Sequence, residues 1–186
     1  MGSWLSKPSS ASVDTKKKIV ICGHSASGKT YGANALRLAG EKVAISYTTR
    51  PMRDNEANGR DYHFVSEAEF DRLTTSMYEC VSHGEHRYGI TDATWNECTV
   101  FVMNPGGVQN ICDHGDRDQA LIVYLDIPEA TRVARLKTER QWGDPEIAAR
   151  IMSEQLQFKS FTTFDVRVVN PNHNMVEVVN TVSRGV

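Results

Sequence analysis

The sequence lacks the features that would direct it to a membrane or to nucleic acid. No apolar run approaches the roughly 18 residues that a bilayer-crossing helix needs, and no secretory signal is expected. The 186 residues carry 21 Lys and Arg against 23 Asp and Glu, so the net charge is only -2. General attraction to nucleic acid or to a membrane surface is therefore not expected. Any anion site must come from the local placement of Arg and Lys.

Cysteine is also scarce, and its spacing excludes a zinc ribbon. The four cysteines are Cys22, Cys80, Cys98 and Cys112, and no two of them form a CxxC pair. We expect them to be reduced and mostly buried, which favours a cytoplasmic setting.

The apolar fraction of 40% is sufficient for the core of one domain, which we assign to residues 16–186. Residues 1–15 are rich in Ser and have little to pack, so they predict a disordered tail. Gly2 and Ser6 fit the loose pattern for N-myristoylation, although "MGS" is also a common cloning remnant.

Short β-branched apolar runs alternate with helical patterns along most of the chain. Strands are predicted within residues 18–22, 42–50, 77–83, 86–91, 98–103, 120–127 and 165–170. Helices are predicted within residues 29–40, 66–76, 106–115, 128–140, 145–164 and 174–182, with Ser66 and Glu69 forming a capping box. This alternation indicates an α/β fold with a mainly parallel sheet, interrupted by a β-rich insertion at about residues 46–91.

A phosphate-binding loop follows the first strand. The segment "GHSASGKT", Gly23 to Thr30, matches G-x-x-x-x-G-K-[ST] between an apolar strand and a helical pattern. Its glycines let successive backbone N–H groups face phosphate oxygens, Lys29 reaches the β- and γ-phosphates, and Thr30 helps to hold Mg²⁺. ATP-binding residues predicted around this loop are Gly23, Ser25, Ala26, Ser27, Gly28, Lys29, Thr30 and Tyr31. His24 is expected to supply only its backbone.

The next informative stretch is "SYTTRPMRDNEANGRDYHF", in which paired arginines follow a strand. Arg50 and Arg53 lie three residues apart, and two guanidinium groups can bind a phosphate bidentately. The residues that form the pattern are Thr48, Thr49, Arg50, Arg53, Glu56, Asn58, Gly59, Asp61, Tyr62 and Phe64.

These residues resemble the guanylate kinase family, and the similarity continues to about residue 184. The resemblance implies a P-loop NTPase-type parallel sheet flanked by helices, with an inserted NMP-binding subdomain and a helical lid. It divides the domain into a core at 16–45 and 92–186, the insertion at about 46–91, and a lid at about 136–146. It also implies ATP-dependent phosphorylation of GMP or dGMP, with Mg²⁺. The NMP-binding residues that it implies are Ser46, Arg50, Arg53, Tyr62, Glu79, Tyr88, Thr91 and Asn104.

Glu79 is the residue that the resemblance assigns to guanine, because the family uses a glutamate here to accept from N1–H and N2–H₂. Two departures leave base selectivity open. Ile90 stands where the family usually has Ser or Thr, so Thr91 substitutes or one guanine contact is missing. Val102 and Asn104 stand where the family has aspartates, and Asn104 can still accept a hydrogen bond.

Arginines flank the expected lid, and the family uses such arginines to close over the triphosphate. Lys29, Arg50, Arg135 and Arg150 are the expected catalytic residues, and Arg132 and Arg140 are expected to bind ATP. The acceptor oxygen is already anionic, so no general base is needed and catalysis is positioning plus charge neutralisation.

Two other functions remain open at this point. One is a broader deoxynucleoside monophosphate kinase, and the other is a non-catalytic module that binds phosphopeptides, against which the intact loop argues. The expected partners are ATP and GMP or dGMP, without nucleic acid or stable membrane association. The protein is expected to be a monomer or homodimer.

Overall fold

The computed structural model describes residues 17–183, so the predicted tail at 1–15 and the Gly2 pattern lie outside it. Within this range the expected α/β fold class is confirmed. A parallel sheet lies between helices, and a segment inserted between its strands in the sequence forms a separate mixed sheet. No helix of residues 17–183 is long and apolar enough to cross a membrane.

The core sheet contains four parallel strands in the order β6-β1-β7-β8. Its strands are β1 (Lys18–Gly23), β6 (Val100–Met103), β7 (Ala120–Leu125) and β8 (Val166–Val168). Ile19 and Ile21 pack into the apolar cluster on one face, whereas Val20 and Cys22 pack into the cluster on the other. Because both faces of β1 are buried, the strand is apolar at nearly every position rather than alternating.

The helices cover both faces of this sheet and connect its strands. They are α1 (Lys29–Leu38), α3 (Asp92–Glu97), α4 (Pro105–Asp113), α5 (Glu129–Arg140), α6 (Asp144–Phe158) and α7 (Met175–Ser183). Pro145 lies in the first turn of α6, as predicted. The helix ends at Phe158, however, six residues before the end of the predicted helical segment.

The second sheet has the order β3-β2-β5-β4 and comes entirely from the inserted segment. Its strands are β2 (Tyr47–Thr48), β3 (His63–Phe64), β4 (Met77–His83) and β5 (His86–Thr91), and helix α2 (Glu67–Leu73) lies between β3 and β4 in the chain. Strands β4 and β5 pair antiparallel, as predicted. The Ser66 and Glu69 capping box at the start of α2 is confirmed as well.

Two further sequence predictions about structure are wrong, and one short helix was missed. Residues 42–50 do not form one strand, because Val43 makes a single bridge to Val100 in the core sheet and the chain then leaves to form β2. The short helix α3 was not predicted. The cysteines are free, but only Cys22 is buried, and Cys80 on β4 is exposed.

Candidate active site

The phosphate loop connects β1 to α1 by a sharply curved backbone. Gly28 has a φ of 102° and Ala26 a φ of 58°, both in the left-handed region, which favours glycine. At Gly28 this conformation directs the chain into the first turn of α1. The curved backbone brings the loop to the positive end of a ten-residue helix, which is an anion-binding arrangement.

Lys29 lies folded against this loop. Its Nζ donates to the carbonyl oxygens of Gly23 at 2.7 Å and His24 at 2.8 Å. Burial lowers the pKa of Lys29 to about 8, because the ammonium group has lost water without gaining a full counter-charge. A phosphate anion would supply that counter-charge.

Two predicted lid arginines contact the phosphate loop directly. Arg135 on α5 donates through Nη1 to the Ala26 carbonyl at 3.0 Å and through Nη2 to the Pro171 carbonyl at 3.1 Å. Arg150 on α6 donates through Nε to the Ser25 hydroxyl at 2.7 Å. The structure therefore brings both arginines to the loop where the β- and γ-phosphates are expected.

Arg132 is buried rather than exposed on its helix. Its Nε donates to the Ile127 carbonyl at 3.0 Å, and its Nη1 lies 3.5 Å from a carboxylate oxygen of Glu154. Only 6% of the residue is accessible, so it is less available to ATP than Arg135 or Arg150.

In the loop between β2 and β3, Glu56 contacts both members of the arginine pair. Arg50 Nη2 lies 2.8 Å from Glu56 Oε1, and Arg53 Nη1 lies 3.7 Å from the same oxygen. The Arg50 guanidinium also lies 5.5 Å from the ring centres of Tyr62 and Phe64. Burial opposes its charge, but hydrogen bonding to Glu56 and Tyr88 gives a net increase in the pKa of Arg50. Tyr88 thus lies beside Arg50 and Tyr62, as a shared phosphate site requires.

Glu79 is buried between β4 and the start of α4. Burial, with no compensating charge or donor among the described residues, raises the pKa of Glu79 to about 8. A Cβ atom at Gly107 would lie only 2.0 Å from Glu79 Oε1, so this glycine makes room for the carboxylate. A buried carboxylate without a donor is suited to a ligand that brings donors of its own.

Arg140, at the end of α5, interacts electrostatically with residues of both anion sites. The residue is exposed, but surrounding protein atoms remove part of the water around its guanidinium group, and this desolvation lowers the pKa of Arg140. The positive charges of Arg53 and Arg150 lower that pKa further. The charge of Arg140 also lowers the pKa of Lys29. One lid arginine is therefore within electrostatic reach of both the acceptor arginines and the phosphate loop.

Several other predicted ligands already have structural contacts. Thr91 caps α3 by accepting from the Thr94 N–H at 3.2 Å, and Asn104 caps α4 by accepting from the Gly107 N–H at 2.9 Å. Ser46 accepts through its carbonyl oxygen from the His63 N–H at 2.9 Å. Tyr31 is 72% exposed on α1. The side chains of Thr91 and Asn104 therefore already serve the fold, which gives these two weaker support as ligands than Arg50, Glu79 or Lys29.

Known proteins that are similar to this chain agree with this geometry. The family model described as guanylate kinase matches residues 15–183. The chain belongs to the guanylate kinase family. Guanylate kinase from Thermobifida fusca (strain YX) is 29% identical over 166 residues, which cover 83% of this chain and 84% of the relative. Guanylate kinase from Rhodopseudomonas palustris (strain BisB18) is 30% identical over 162 residues, covering 81% and 74%.

A solved guanylate kinase structure has the same fold. The crystal structure of guanylate kinase from Anaplasma phagocytophilum aligns with a TM-score of 0.63 at 18% identity. The alignment covers 92% of this chain and 85% of that one. Members of the guanylate kinase family are nucleoside monophosphate kinases, so the chain is assigned to this class of transferase.

Sequence reasoning missed two polar residues at this guanylate kinase site. Glu154 on α6 is buried and accepts from the Ser25 N–H. His173 is also buried near Gly28, and its Nδ1 lies 2.9 Å from the Asn170 carbonyl. The position of Glu154 four residues after Arg150 is a usable signal, since such pairs meet on a helix. Nothing in the local sequence predicts the contact of His173.

Proposed function

We propose that the protein transfers the γ-phosphoryl group of ATP to the phosphate of GMP or dGMP. An oxygen of the acceptor phosphate forms a bond to the γ-phosphorus. The bond from that phosphorus to the bridging oxygen of ATP breaks. ADP is the leaving group, and GDP or dGDP is the product. The observation that carries this proposal is the direct contact of Arg135 and Arg150 with the phosphate loop. The charge of Arg53, in the acceptor pair, also acts on Arg140 at the end of α5, as expected if the two phosphates meet for transfer.

The ATP side is formed by the loop and the lid arginines. The N–H groups of the loop and the N-terminus of α1 would hold the β- and γ-phosphates, with Lys29 exchanging its carbonyl contacts for phosphate oxygens. Arg135, Arg140 and Arg150 would neutralise the charge on the transferring group. Tyr31 and Arg132 are kept as predicted ATP contacts at the edge of this site.

The acceptor side orients GMP by its phosphate and its base. Arg50 and Arg53 would bind the phosphate together with the hydroxyls of Tyr62 and Tyr88. Glu56 holds the Arg50 guanidinium at 2.8 Å and lies 3.7 Å from that of Arg53, so the two groups are close to one another. Ser46 is kept as a predicted contact to this phosphate.

The buried Glu79 carboxylate would accept from guanine N1–H and N2–H₂. Adenine lacks that pair of neighbouring donors, and it would leave the carboxylate unpaired at a cost of about 1–3 kcal/mol. Thr91 and Asn104 are kept as predicted contacts to the base.

The residues at the loop fit a magnesium ion that arrives with ATP. Thr30 is exposed beside Lys29, and residues 17–183 hold no cluster of three His, Cys, Asp or Glu that could form a separate metal site. Mg²⁺ typically takes one or two protein oxygens and completes its shell with phosphates and water, so one hydroxyl is sufficient. When bound, the ion would supply positive charge to the phosphates.

The test is ATP consumption with a panel of acceptors, namely GMP, dGMP, AMP, dTMP and dCMP. We expect turnover with GMP and dGMP that exceeds turnover with the others by at least about tenfold, the equivalent of one lost contact of about 1.4 kcal/mol. Comparable turnover with several acceptors would replace the proposal with a broader deoxynucleoside monophosphate kinase. No turnover combined with phosphopeptide binding would instead indicate a binding module.

We further propose a cytoplasmic location and a monomer or homodimer. The free state of the four cysteines supports the first of these, since a reducing compartment keeps thiols unpaired.

A further inference from the structure

Glu154 is a buried carboxylate that contacts the phosphate loop from helix α6. Only 3% of the residue is accessible. Its Oε1 accepts from the Ser25 N–H at 2.8 Å and from Arg150 Nε at 2.8 Å. Its Oε2 lies 3.5 Å from Arg132 Nη1, too far for a good hydrogen bond. The carboxylate thus joins the loop to arginines from both helices that flank the lid.

Glu154 and Ser25 both contact Arg150 through the same nitrogen, Nε. Arg150 Nε lies 2.7 Å from the Ser25 hydroxyl and 2.8 Å from Glu154 Oε1, so one N–H is shared between two acceptors. The terminal nitrogens of Arg150 make none of the hydrogen bonds found among the described residues. A guanidinium group held by Nε keeps its terminal nitrogens available for a phosphate.

Charge balance alone does not explain why the carboxylate contacts the loop. An ion pair with Arg132 and Arg150 needs no backbone partner, yet the closest contacts of Glu154 include the Ser25 N–H. Hydrogen bonds from Ser25 and the charge of Arg150 outweigh burial, so the pKa of Glu154 is lowered and the group stays ionised. An ionised group that ties the lid side to the loop restrains the position of Arg150.

We propose that Glu154 is a positioning residue that holds Arg150 where its terminal nitrogens meet the γ-phosphate of ATP. The proposal rests on the proposed function, because it assumes that the loop binds ATP. It adds a residue that was not among the site residues expected from the sequence and that acts through Arg150 rather than by touching the substrate.

The test uses the substitution Glu154→Gln, which keeps the size of the side chain and an oxygen for the Ser25 N–H but removes the charge. The first readout is the ratio of the dissociation constants of Mg·ADP and Mg·ATP, measured by calorimetry without an acceptor. We expect Glu154→Gln to reduce the preference for ATP by at least about fivefold, since only ATP carries the γ-phosphate. We also expect kcat to fall by about tenfold or more, with the KM for GMP within about twofold of the native value.

A matched control is Asp165→Asn, at a carboxylate with the same kind of contacts away from the loop. Asp165 accepts from Arg117 at 2.7 Å and from the Ile122 N–H at 2.7 Å. This variant should lose thermal stability but keep the ATP preference and kcat. Glu154→Asp is a second variant that retains the buried charge. We expect it to remain folded and to show an intermediate loss of ATP preference.

The double variant Glu154→Gln with Arg150→Ala decides whether the effect passes through Arg150. We expect it to match Arg150→Ala alone in both readouts. An unchanged ATP preference in Glu154→Gln would overturn the proposal, as would an equal further loss in the Arg150→Ala background. The binding ratio does not depend on turnover, so it tests Glu154 even if the acceptor panel contradicts the proposed kinase activity.

Discussion

At the scale of single residues, the site holds two ionisable groups, Lys29 and Glu79, whose charged forms are disfavoured by burial. Burial lowers the pKa of Lys29 to about 8 and raises that of Glu79 to about 8. Burial of these groups destabilises the protein without ligands. Each is suited to a ligand that stabilises its charged form: a phosphate anion for Lys29 and a pair of base N–H donors for Glu79.

Glu79 should make GMP binding depend on pH. Below a pKa of about 8 the carboxyl group is protonated and cannot accept from both guanine donors, so affinity should rise with pH by up to about tenfold per unit between pH 6.5 and 8. Calorimetric titration with GMP, compared between the native protein and Glu79→Gln, measures this rise. The variant corrects for titration of the GMP phosphate, and a parallel rise in both proteins would rule out the role of Glu79.

The same carboxyl group should reverse the usual effect of pH on stability. Its folded pKa of about 8 exceeds its ordinary value of 4.5, so the folded protein binds the extra proton. Its contribution to the free energy of unfolding is complete below pH 4.5 and is lost as pH rises through 8. Denaturant unfolding should show this loss between pH 5 and 8 relative to Glu79→Gln, and identical pH curves would contradict it.

Lys29 should be needed for transfer but not for folding. We expect Lys29→Ala to lower kcat by at least about 100-fold, because one preorganised charge at the transferring group is lost. Its thermal midpoint should not fall, since the variant removes a buried ammonium group that lacks a full counter-charge. Lys42→Ala, at an exposed position, is the control for steady-state assays. A Lys29→Ala enzyme with more than a tenth of native kcat would refute the assignment.

At the scale of elements, the start of α4 shapes the base site. A methyl group at Gly107 would lie 2.0 Å from Glu79 Oε1 and 3.1 Å from the Met103 Cβ. Gly107→Ala should therefore displace the Glu79 carboxylate and raise the KM for GMP by about tenfold or more, while the KM for ATP stays within about twofold. Gly106→Ala is the neighbouring control, because its methyl group would approach no atom closer than 3.3 Å. Equal changes in the two KM values would show that the glycine serves the fold instead.

Elements with strong local signals were predictable, and those set by distant contacts were not. The Ser66 and Glu69 capping box and the run of β1 each determine their structure within a few residues. The segment after α1 divides its apolar residues between two sheets, with Val43 bridging Val100 and Tyr47 joining β5. A local pattern cannot show which of two sheets a β-branched residue joins.

At the scale of the whole molecule, the fold brings the phosphate loop into contact with the arginines around the lid, and it brings Arg140 within electrostatic reach of Arg53 in the insertion. The loop at 23–30, the arginine pair of the insertion and the arginines around the lid were each recognisable from residue type and spacing. The sequence also placed Glu79 on a strand, but it did not show that burial leaves the carboxylate without a partner. Glu154 was missed because its role arises from Ser25, 129 residues away. The assigned roles of all these residues stay predictions until they are measured.

The most direct test of the account is the binding of a bisubstrate, adenosine and guanosine joined through their 5′ positions by a chain of five phosphates. If the loop and the arginine pair face each other, one molecule should occupy both sites and bind at least about 100-fold more tightly than ATP or GMP alone, because the second contact becomes intramolecular. Calorimetry should also give a stoichiometry of one per chain. Affinity no greater than that of ATP, or two molecules per chain, would contradict a site in which the two phosphates meet.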